Sequence, residues 1–387
     1  MRLAPIPWAE WTTRPLDEEV KAILAAQVRP PAKRIWSVNL SGVRLAGLRE
    51  IWFDEFRYRG DGTTHGSLFI RPKELLDVKD ARVELGPGTV TLGTDEVLKI
   101  RSGRMGLAFP QVNTVIYRGG AAFQKMNGKF LLEGTAPDIR FVNFYLDRFP
   151  GLNLRGSPGE IGIDLAVHDG VVHGETKLGG KDVHINYRCV ALRGDLRLEG
   201  KIRRYTFGDK QMDITGTRGV LTNVTMEVAG RRNSLPAGWE GEAIVEEGHV
   251  KLGENHKLDA RFAGRIQDSR PLLALFREHQ GKDLSLLLRS ALSDRDLAIH
   301  ASARSGGGVA EINSVEVTGD KLHLLARLFF ERDFPPRGVL YLKRGIFSIG
   351  LETGSGHTVK ILNARKWFDA HPLLQPGALT LYGKADD

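Results

Sequence analysis

The sequence predicts an all-β protein with a few short helices, and three observations point to this fold class. Apolar and polar side chains alternate with a period of two along most of the 387 residues, which is typical of strands with one buried face. The predicted strands recur about every 8–12 residues, as in proteins built from hairpins. The 45 glycines exceed the usual share of about 7% without any collagen-like period, so they fit turns between many short strands.

The clearest element is a hairpin over residues 159–178, with Asp169 and Gly170 as a two-residue type I′ turn. This turn places Val167 opposite Val172. The predicted buried face contains Ile161, Ile163, Leu165, Val167, Val172, Thr176 and Leu178. The opposite face contains Asp164, Ala166, His168, Val171, His173, Glu175 and Lys177. A slip of one residue would exchange the two faces, so the sequence specifies this register strongly.

A second hairpin is predicted around the glycine-rich residues 86–89. In this hairpin Leu85 meets Val90, and Val83 meets Leu92. The charged neighbours of these four residues fall on the other face, as expected for a half-buried pair of strands.

A third hairpin is predicted around residues 318–321. Here Val317 meets Leu322, and Val315 meets Leu324. The polar residues between them again fall on the opposite face, so this hairpin also has one apolar side.

Helices are few, and each is bounded by a capping residue, a proline or a glycine. The four predicted helices cover residues 16–26, 138–149, 270–280 and 364–371. The predicted organisation is an N-terminal extension with a short helix at 1–33, a first β segment at 34–136, a helix with the central β repeat at 137–268, and a helix with the C-terminal β segment and a final short helix at 269–387.

These helices are too few to cover the apolar faces of all the strands, so the sheet must cover itself. One solution is an elongated antiparallel sheet that curls into a groove and is built from successive hairpins. The alternative is a set of two or three β-sandwich-like domains. Periodicity alone favours the sandwiches.

The composition excludes several classes of protein. The hydrophobic share of 41% and the charged share of 26% exclude disorder of the chain as a whole. The single cysteine, Cys189, excludes an intrachain disulfide framework and a cysteine-based zinc site. No apolar run reaches the length of about 18 residues needed to span a membrane. The net charge of +8 is spread evenly without a basic block, which argues against nucleic acid as a partner.

No motif supports catalysis. Residues 306–308 are glycines but lack the lysine of a phosphate-binding loop, and there is no nucleophile elbow. His168, Asp169 and His173 lie close enough in the predicted hairpin for a metal site, but their polar neighbours favour a solvated face. We therefore predict no enzymatic activity, no catalytic residue, no metal and no cofactor.

Two parts of the sequence resemble a known family. Residues 138–178, DIRFVNFYLDRFPGLNLRGSPGEIGIDLAVHDGVVHGETKL, combine a short amphipathic helix, a G-L-x-L-x-G motif and a strand, turn and return strand. Residues 309–328 and 338–362, followed by the short helix at 364–371, form a similar C-terminal run. This pattern resembles the bacterial AsmA-like family, whose relatives include TamB and the bridge-like lipid-transfer proteins. The resemblance extends over about two thirds of the chain, from about residue 65 onward.

The resemblance implies a taco-shaped β-groove, periplasmic residence with membrane association, and a role in lipid homeostasis at the outer membrane. The expected N-terminal membrane helix is missing, so the anchor or signal is expected outside this chain; a cytoplasmic location is the alternative. The implied partners are phospholipids or other acyl-chain lipids, together with envelope or membrane proteins. The alternative function is a non-enzymatic β-scaffold for protein–protein interactions. The residues predicted to line the groove are Val83, Leu85, Val90, Leu92, Ile161, Ile163, Leu165, Val167, Val172, Val315, Val317, Leu322 and Leu324.

Overall fold

The computed structural model confirms the all-β prediction: it is one large antiparallel sheet with few helices. It describes residues 36–53, 56–72, 74–117, 119–143, 152–156, 159–187, 190–228, 231–233, 235, 238–252, 257–271, 294–306, 309–331, 334–354 and 358–374. The predicted helix at 16–26 and most of the one at 270–280 lie outside these residues, as does Cys189.

The described residues form twenty strands. They are β1 (Val38–Phe53), β2 (Phe56–Arg71), β3 (Leu75–Leu92), β4 (Asp95–Asn113), β5 (Asn127–Ala136), β6 (Leu152–Arg155), β7 (Gly159–His168), β8 (Val171–Tyr187), β9 (Val190–Thr206), β10 (Gln211–Asp213), β11 (Arg218–Val228), β12 (Arg231–Asn233), β13 (Gly241–Lys251), β14 (Lys257–Asp268), β15 (Arg295–Gly306), β16 (Val309–Thr318), β17 (Leu322–Glu331), β18 (Phe334–Arg344), β19 (Phe347–Thr353) and β20 (Thr358–Lys360).

Helical segments are short, as predicted. The helix predicted at 364–371 is confirmed as α1 (Ala364–Asp369), and a 3₁₀ turn follows it at Pro372–Leu374. The described start of the helix predicted at 138–149 is a 3₁₀ turn at Ile139–Val142. A further 3₁₀ segment, Gly119–Lys125, connects β4 to β5.

The chain divides into two compact units. Unit 1 contains the described parts of residues 1–139, 157–179 and 198–214. Its strands β1 to β5 pair antiparallel in sequence order, and β5 then pairs with β7. Unit 2 contains the described parts of residues 140–156, 180–197 and 215–387. Its strands β13 to β20 also pair antiparallel in sequence order, as successive hairpins do.

The structure confirms the hairpin at 159–178. Asp169 and Gly170 form its turn, with φ angles of 46° and 72°, the two positive values that a type I′ turn requires. The side chains predicted on the apolar face are buried or half-buried. On the other face Val171 is half-buried and the remaining side chains are exposed, namely Asp164, Ala166, His168, His173, Glu175 and Lys177.

The hairpin predicted around 86–89 is wrong, because the chain continues straight through these residues as the long strand β3. The register with β2 shifts there, so the glycine-rich segment is a bulge rather than a turn. The reason lies in β2: the buried Tyr58 hydroxyl donates to the carbonyl oxygens of Asp61, at 2.6 Å, and Gly86, at 3.1 Å. A Cβ atom on Gly88 would lie 2.5 Å from the Tyr58 ring. The glycines therefore make room for a tyrosine of the neighbouring strand.

The hairpin around 318–321 exists, but its predicted register is wrong. Val317 pairs with Leu324 instead of Leu322, and Val315 pairs with Ala326 instead of Leu324. The displacement is two residues, an even number, so all the predicted residues keep their apolar face.

The loop between β16 and β17 is stabilised by Asp294, which lies outside the hairpin. Its carboxylate accepts the backbone N–H groups of Lys321 and Leu322, both at 2.9 Å. A Cβ atom on Gly319 would lie 2.5 Å from the same carboxylate, so this turn needs glycine. Because Asp294 lies far away in sequence, the local pattern does not reveal this contact.

Both faces of β18 are buried. One face belongs to a cluster of buried apolar side chains, namely Leu297, Val317, Leu322, Leu324, Ala326, Leu340, Leu342 and Leu351. On the other face, Phe368 of α1 packs against Tyr341, and Trp367 lies over Gly350, which leaves no room there for a Cβ atom. The short helix thus covers β18 and β19.

The bulge in β3 gives the first test of the fold. We expect Gly88→Ala to lower the free energy of unfolding by about 1–3 kcal/mol, because the new methyl group overlaps the Tyr58 ring. Urea unfolding monitored by circular dichroism measures this change. The matched control is Gly106→Ala in β4, where a Cβ atom would meet no other atom within 4 Å. Equal stability of the two variants would contradict the proposed role of the bulge.

Candidate functional site

The candidate site in unit 1 is built from two neighbouring rows of residues that cross the sheet. The first row runs from Gly62 in β2 through Leu85, Gly103 and Leu132 to Ile163 in β7, with each residue directly opposite the next. Leu132 is buried, whereas Leu85 and Ile163 are half-buried. The row therefore gives an apolar surface that remains partly accessible.

The second row lies one residue away from the first on each strand, so its side chains point to the opposite face of the sheet, and it is mostly polar. It runs from Thr63 through Glu84, Arg104 and Leu131 to Asp164. The Arg104 guanidinium lies 3.9 Å from the Glu84 carboxylate. These side chains are largely exposed, so the ion pair contributes little to stability.

A cavity of about 920 Å³ borders both rows. It extends from Gly47 in β1 to Lys177 in β8, so it crosses every strand of this part of unit 1. Its lining contains both apolar and charged residues. Because neighbouring residues of a strand point to opposite faces of the sheet, Leu85 and Ile163 offer apolar side chains on one face and Glu84 and Arg104 offer charged side chains on the other. The apolar face can accept the apolar part of a ligand.

Tyr58 forms the buried support of the apolar row. It clusters with the buried side chains of Ile100 and Leu132, and the half-buried Leu85 and Ile163 pack against this cluster. Burial raises the pKa of the Tyr58 phenol, and the nearby Asp61 carboxylate raises it further. The phenol is therefore neutral at physiological pH and acts as a hydrogen-bond donor.

The structure brings together only part of the predicted lining. Leu85 and Ile163 border the cavity, and Val90 and Ile161 pack against the Tyr58 cluster. The other predicted residues of unit 1 lie elsewhere on its strands: Val83, Leu92, Leu165 and Val167 are half-buried, and Val172 is buried.

The predicted lining residues of unit 2 have a different environment. Val317, Leu322 and Leu324 are only 2–4% exposed and lie inside the apolar cluster of β15 to β19. Val315 is partly buried and packs against the same cluster. In the described structure these four residues belong to a closed core rather than to an accessible surface.

Sequence reasoning missed the central members of the site, Tyr58, Ile100 and Leu132. Leu132 had a partial signal, because Phe130 and Leu132 share one face between the polar residues Lys129 and Glu133, although Leu131 interrupts the alternation. Tyr58 also had a signal, because Phe56 and Tyr58 alternate with Arg57 and Arg59, but the local pattern does not reveal its hydrogen bond to Gly86 of the neighbouring strand.

Charged side chains also meet in unit 2. Arg193 donates two hydrogen bonds to Asp182, and Asn223 donates to Asp195 at 2.9 Å. Through these contacts Arg193 lowers the pKa of Asp182, and Asn223 lowers the pKa of Asp195. Both carboxylates are therefore ionised at neutral pH and hold strands together, which does not suit a general acid.

The described residues contain no group of three or more histidine, cysteine, aspartate or glutamate side chains arranged for a metal ion. His168 and His173 are both exposed, and His168 lies 3.7 Å from Asp169. Within the same residues, no helix has the length and apolarity needed to cross a membrane.

Comparison with known proteins gives no match: no family model, no curated protein and no solved structure is significantly similar to this chain. The AsmA-like resemblance remains an interpretation of the sequence pattern.

The buried phenol of Tyr58 leads to a prediction about alkaline pH. Its folded-state pKa lies above the ordinary value of 10, so the unfolded chain releases this proton first as the pH rises. The resulting stabilisation is complete below about pH 10 and is lost as the pH rises through the folded-state pKa. We expect the free energy of unfolding to fall more steeply above pH 10 in the parent protein than in Tyr58→Phe.

Urea unfolding at a series of pH values measures this difference. Tyr205, whose pKa burial also raises, is present in both proteins, so its contribution cancels. At neutral pH the Tyr58→Phe variant loses about 1 kcal/mol, because the hydroxyl no longer donates to the two carbonyl groups. Parallel pH profiles would contradict the prediction.

Proposed function

We propose that this protein handles lipids, binding phospholipid acyl chains along the apolar row of unit 1. The observation that carries the proposal is the 920 Å³ cavity that borders the half-buried side chains of Leu85 and Ile163. Its volume falls within the range of about 300–1,000 Å³ that is typical of ligand sites.

The energetics of acyl chains support this choice of ligand. An acyl chain of about 16 carbons gains on the order of 12 kcal/mol when it leaves water, at about 0.8 kcal/mol per CH₂ group. This gain requires apolar surface but no directional chemistry. A binding row made of Leu85, Leu132 and Ile163 supplies that surface without any catalytic group.

The AsmA-like resemblance supports the wider role that we propose. In that role the protein is a periplasmic, membrane-associated component of outer-membrane lipid homeostasis. It acts without enzymatic chemistry and has lipids and envelope proteins as partners.

A second candidate is a β-scaffold that binds other proteins through β1. Among the described residues β1 pairs with β2, and a strand at the edge of a sheet can accept an added strand. The apolar side chains of Val38, Leu40, Val43 and Leu45 are exposed along β1. Its register with β2 is interrupted three times. A stable complex that is lost when these side chains are changed, in protein that carries no lipid, would favour this role.

Charge substitutions test the lipid proposal. We expect Leu85→Glu or Ile163→Glu to reduce uptake of a fluorescent phospholipid at least tenfold, because a carboxylate in the apolar row opposes burial of an acyl chain. Native mass spectrometry of the purified protein should show the same loss of co-purifying phospholipid. The matched control is Ala166→Glu, which adds the same charge to an exposed position of the same strand as Ile163.

Circular dichroism and urea unfolding show whether each variant is folded. Parent protein without bound phospholipid or uptake would overturn the proposal. Equal uptake by Ala166→Glu and by folded Ile163→Glu would also overturn it.

A further inference from the structure

Four large apolar side chains are strongly exposed at one end of the C-terminal strands. Ile346 is 92% exposed, Leu362 86%, Phe347 72% and Ile361 69%. No other large apolar side chain among the described residues is as exposed as these four. Scattered apolar residues are normal on a surface, but several side chains exposed to this degree at one place indicate a binding site.

The fold brings the four residues together. Ile346 lies in the two-residue turn between β18 and β19, and Phe347 begins β19. Because β20 runs antiparallel to β19 with Lys360 opposite Gly350, the residues after Lys360 run toward the start of β19. Ile361 and Leu362 are those residues. We call Ile346, Phe347, Ile361 and Leu362 the apolar tip.

A shared cavity also indicates that these two segments are neighbours. Ser348, which follows Phe347, and Asn363, which follows Leu362, line one common cavity with Arg365 and Lys366. The two halves of the apolar tip therefore lie side by side in unit 2.

Basic side chains accompany the apolar tip. Residues 343–349 and 358–369 contain five basic residues and one acidic residue. The basic ones are Lys343, Arg344, Lys360, Arg365 and Lys366. The acidic one, Asp369, lies 2.8 Å from the Arg365 guanidinium. In the neighbouring turn between β16 and β17, the exposed Asp320 and Lys321 carry opposite charges, and the Asp294 carboxylate binds this turn. The Glu316 carboxylate acts electrostatically on Arg365. Basic side chains still outnumber acidic ones around the apolar tip.

The supporting structure fixes the position of these residues. Gly345, with a φ of 58°, occupies the first central position of the turn, where a type II′ turn favours glycine. On the other side, Trp367 and Phe368 anchor α1 to the sheet. The Arg365 guanidinium lies 5.5 Å from the centre of the Tyr341 ring. Nothing in this packing requires Ile346 or Leu362 to be apolar.

We propose that the apolar tip docks the protein on the surface of an anionic lipid bilayer. Isoleucine, leucine and phenylalanine side chains that project beyond a rim of lysine and arginine fit the boundary between acyl chains and head groups. Lysine is depleted in protein–protein interfaces, which makes a protein partner a poorer fit to this rim. This docking site is separate from the acyl-chain row of unit 1 and does not depend on it.

Vesicle flotation tests the proposal with the full chain. The probes are vesicles of phosphatidylcholine alone and of phosphatidylcholine with phosphatidylglycerol. We expect the parent protein to float with the anionic vesicles and to bind neutral ones more weakly. The double variant Ile346→Ser/Phe347→Ser should bind anionic vesicles about tenfold more weakly or worse, because two inserting side chains are lost.

Two further variants separate the contributions. Lys360→Glu/Lys366→Glu should weaken binding to anionic vesicles at least about fivefold and remove the preference over neutral ones. The matched control Leu198→Ser/Ile244→Ser removes two exposed apolar side chains from β9 and β13 and should float like the parent. If the double variant of the apolar tip does not fold, Ile346→Ser alone replaces it, since this side chain is 92% exposed.

Several outcomes would overturn the proposal. These are parent protein that fails to bind anionic vesicles, variants of the apolar tip that float like the parent, and a control that loses binding as much as they do. Normal flotation of Leu85→Glu would show that docking is independent of the acyl-chain row. Capture of a protein through the apolar tip without vesicle binding would also count against a bilayer.

Discussion

The structure depends on one constraint, which is that the apolar side chains of successive strands must stay on the same face of the sheet. In a strand this requirement excludes register shifts by an odd number of residues and permits shifts by an even number. The two irregular places in the predicted hairpins both respect it. The bulge in β3 inserts one extra residue, which keeps Leu85 and Val90 with the same apolar cluster although they are five positions apart. The pairing of β16 with β17 moves by two residues, which also keeps the face.

This constraint explains how much of the fold could be predicted. The alternation that specifies faces is local, so the sequence indicated the all-β class and the hairpin at Asp169 and Gly170. It did not reveal contacts that depend on distant residues. The local sequence predicts a turn at the glycines near residue 88, because the side chain that packs against them, Tyr58, belongs to another strand. The predicted register between β16 and β17 is wrong because the loop that joins them is bound by Asp294, which lies 27 and 28 residues before the two N–H groups that it accepts.

The same periodic pattern leads to two different surfaces in the two units. In unit 1 the residues around Tyr58 leave Leu85 and Ile163 half-buried beside a cavity. In unit 2 the equivalent faces of β17 to β19 are buried, with α1 packed on one side. Alternation marks which side chains share a face, but it does not show what covers that face. The candidate site was therefore only partly predictable from the sequence.

The interrupted register of β1 affects which other strands can pair with this protein. A regular edge of 16 residues with exposed valines and leucines would invite unlimited stacking of identical chains, as in fibrils. Each interruption instead breaks the row of N–H and C=O groups, so an approaching strand can align over only a few residues. Indiscriminate polymerisation is thereby discouraged. A strand with complementary irregularities can still align along β1, so the interruptions select among partners as well as discouraging identical copies.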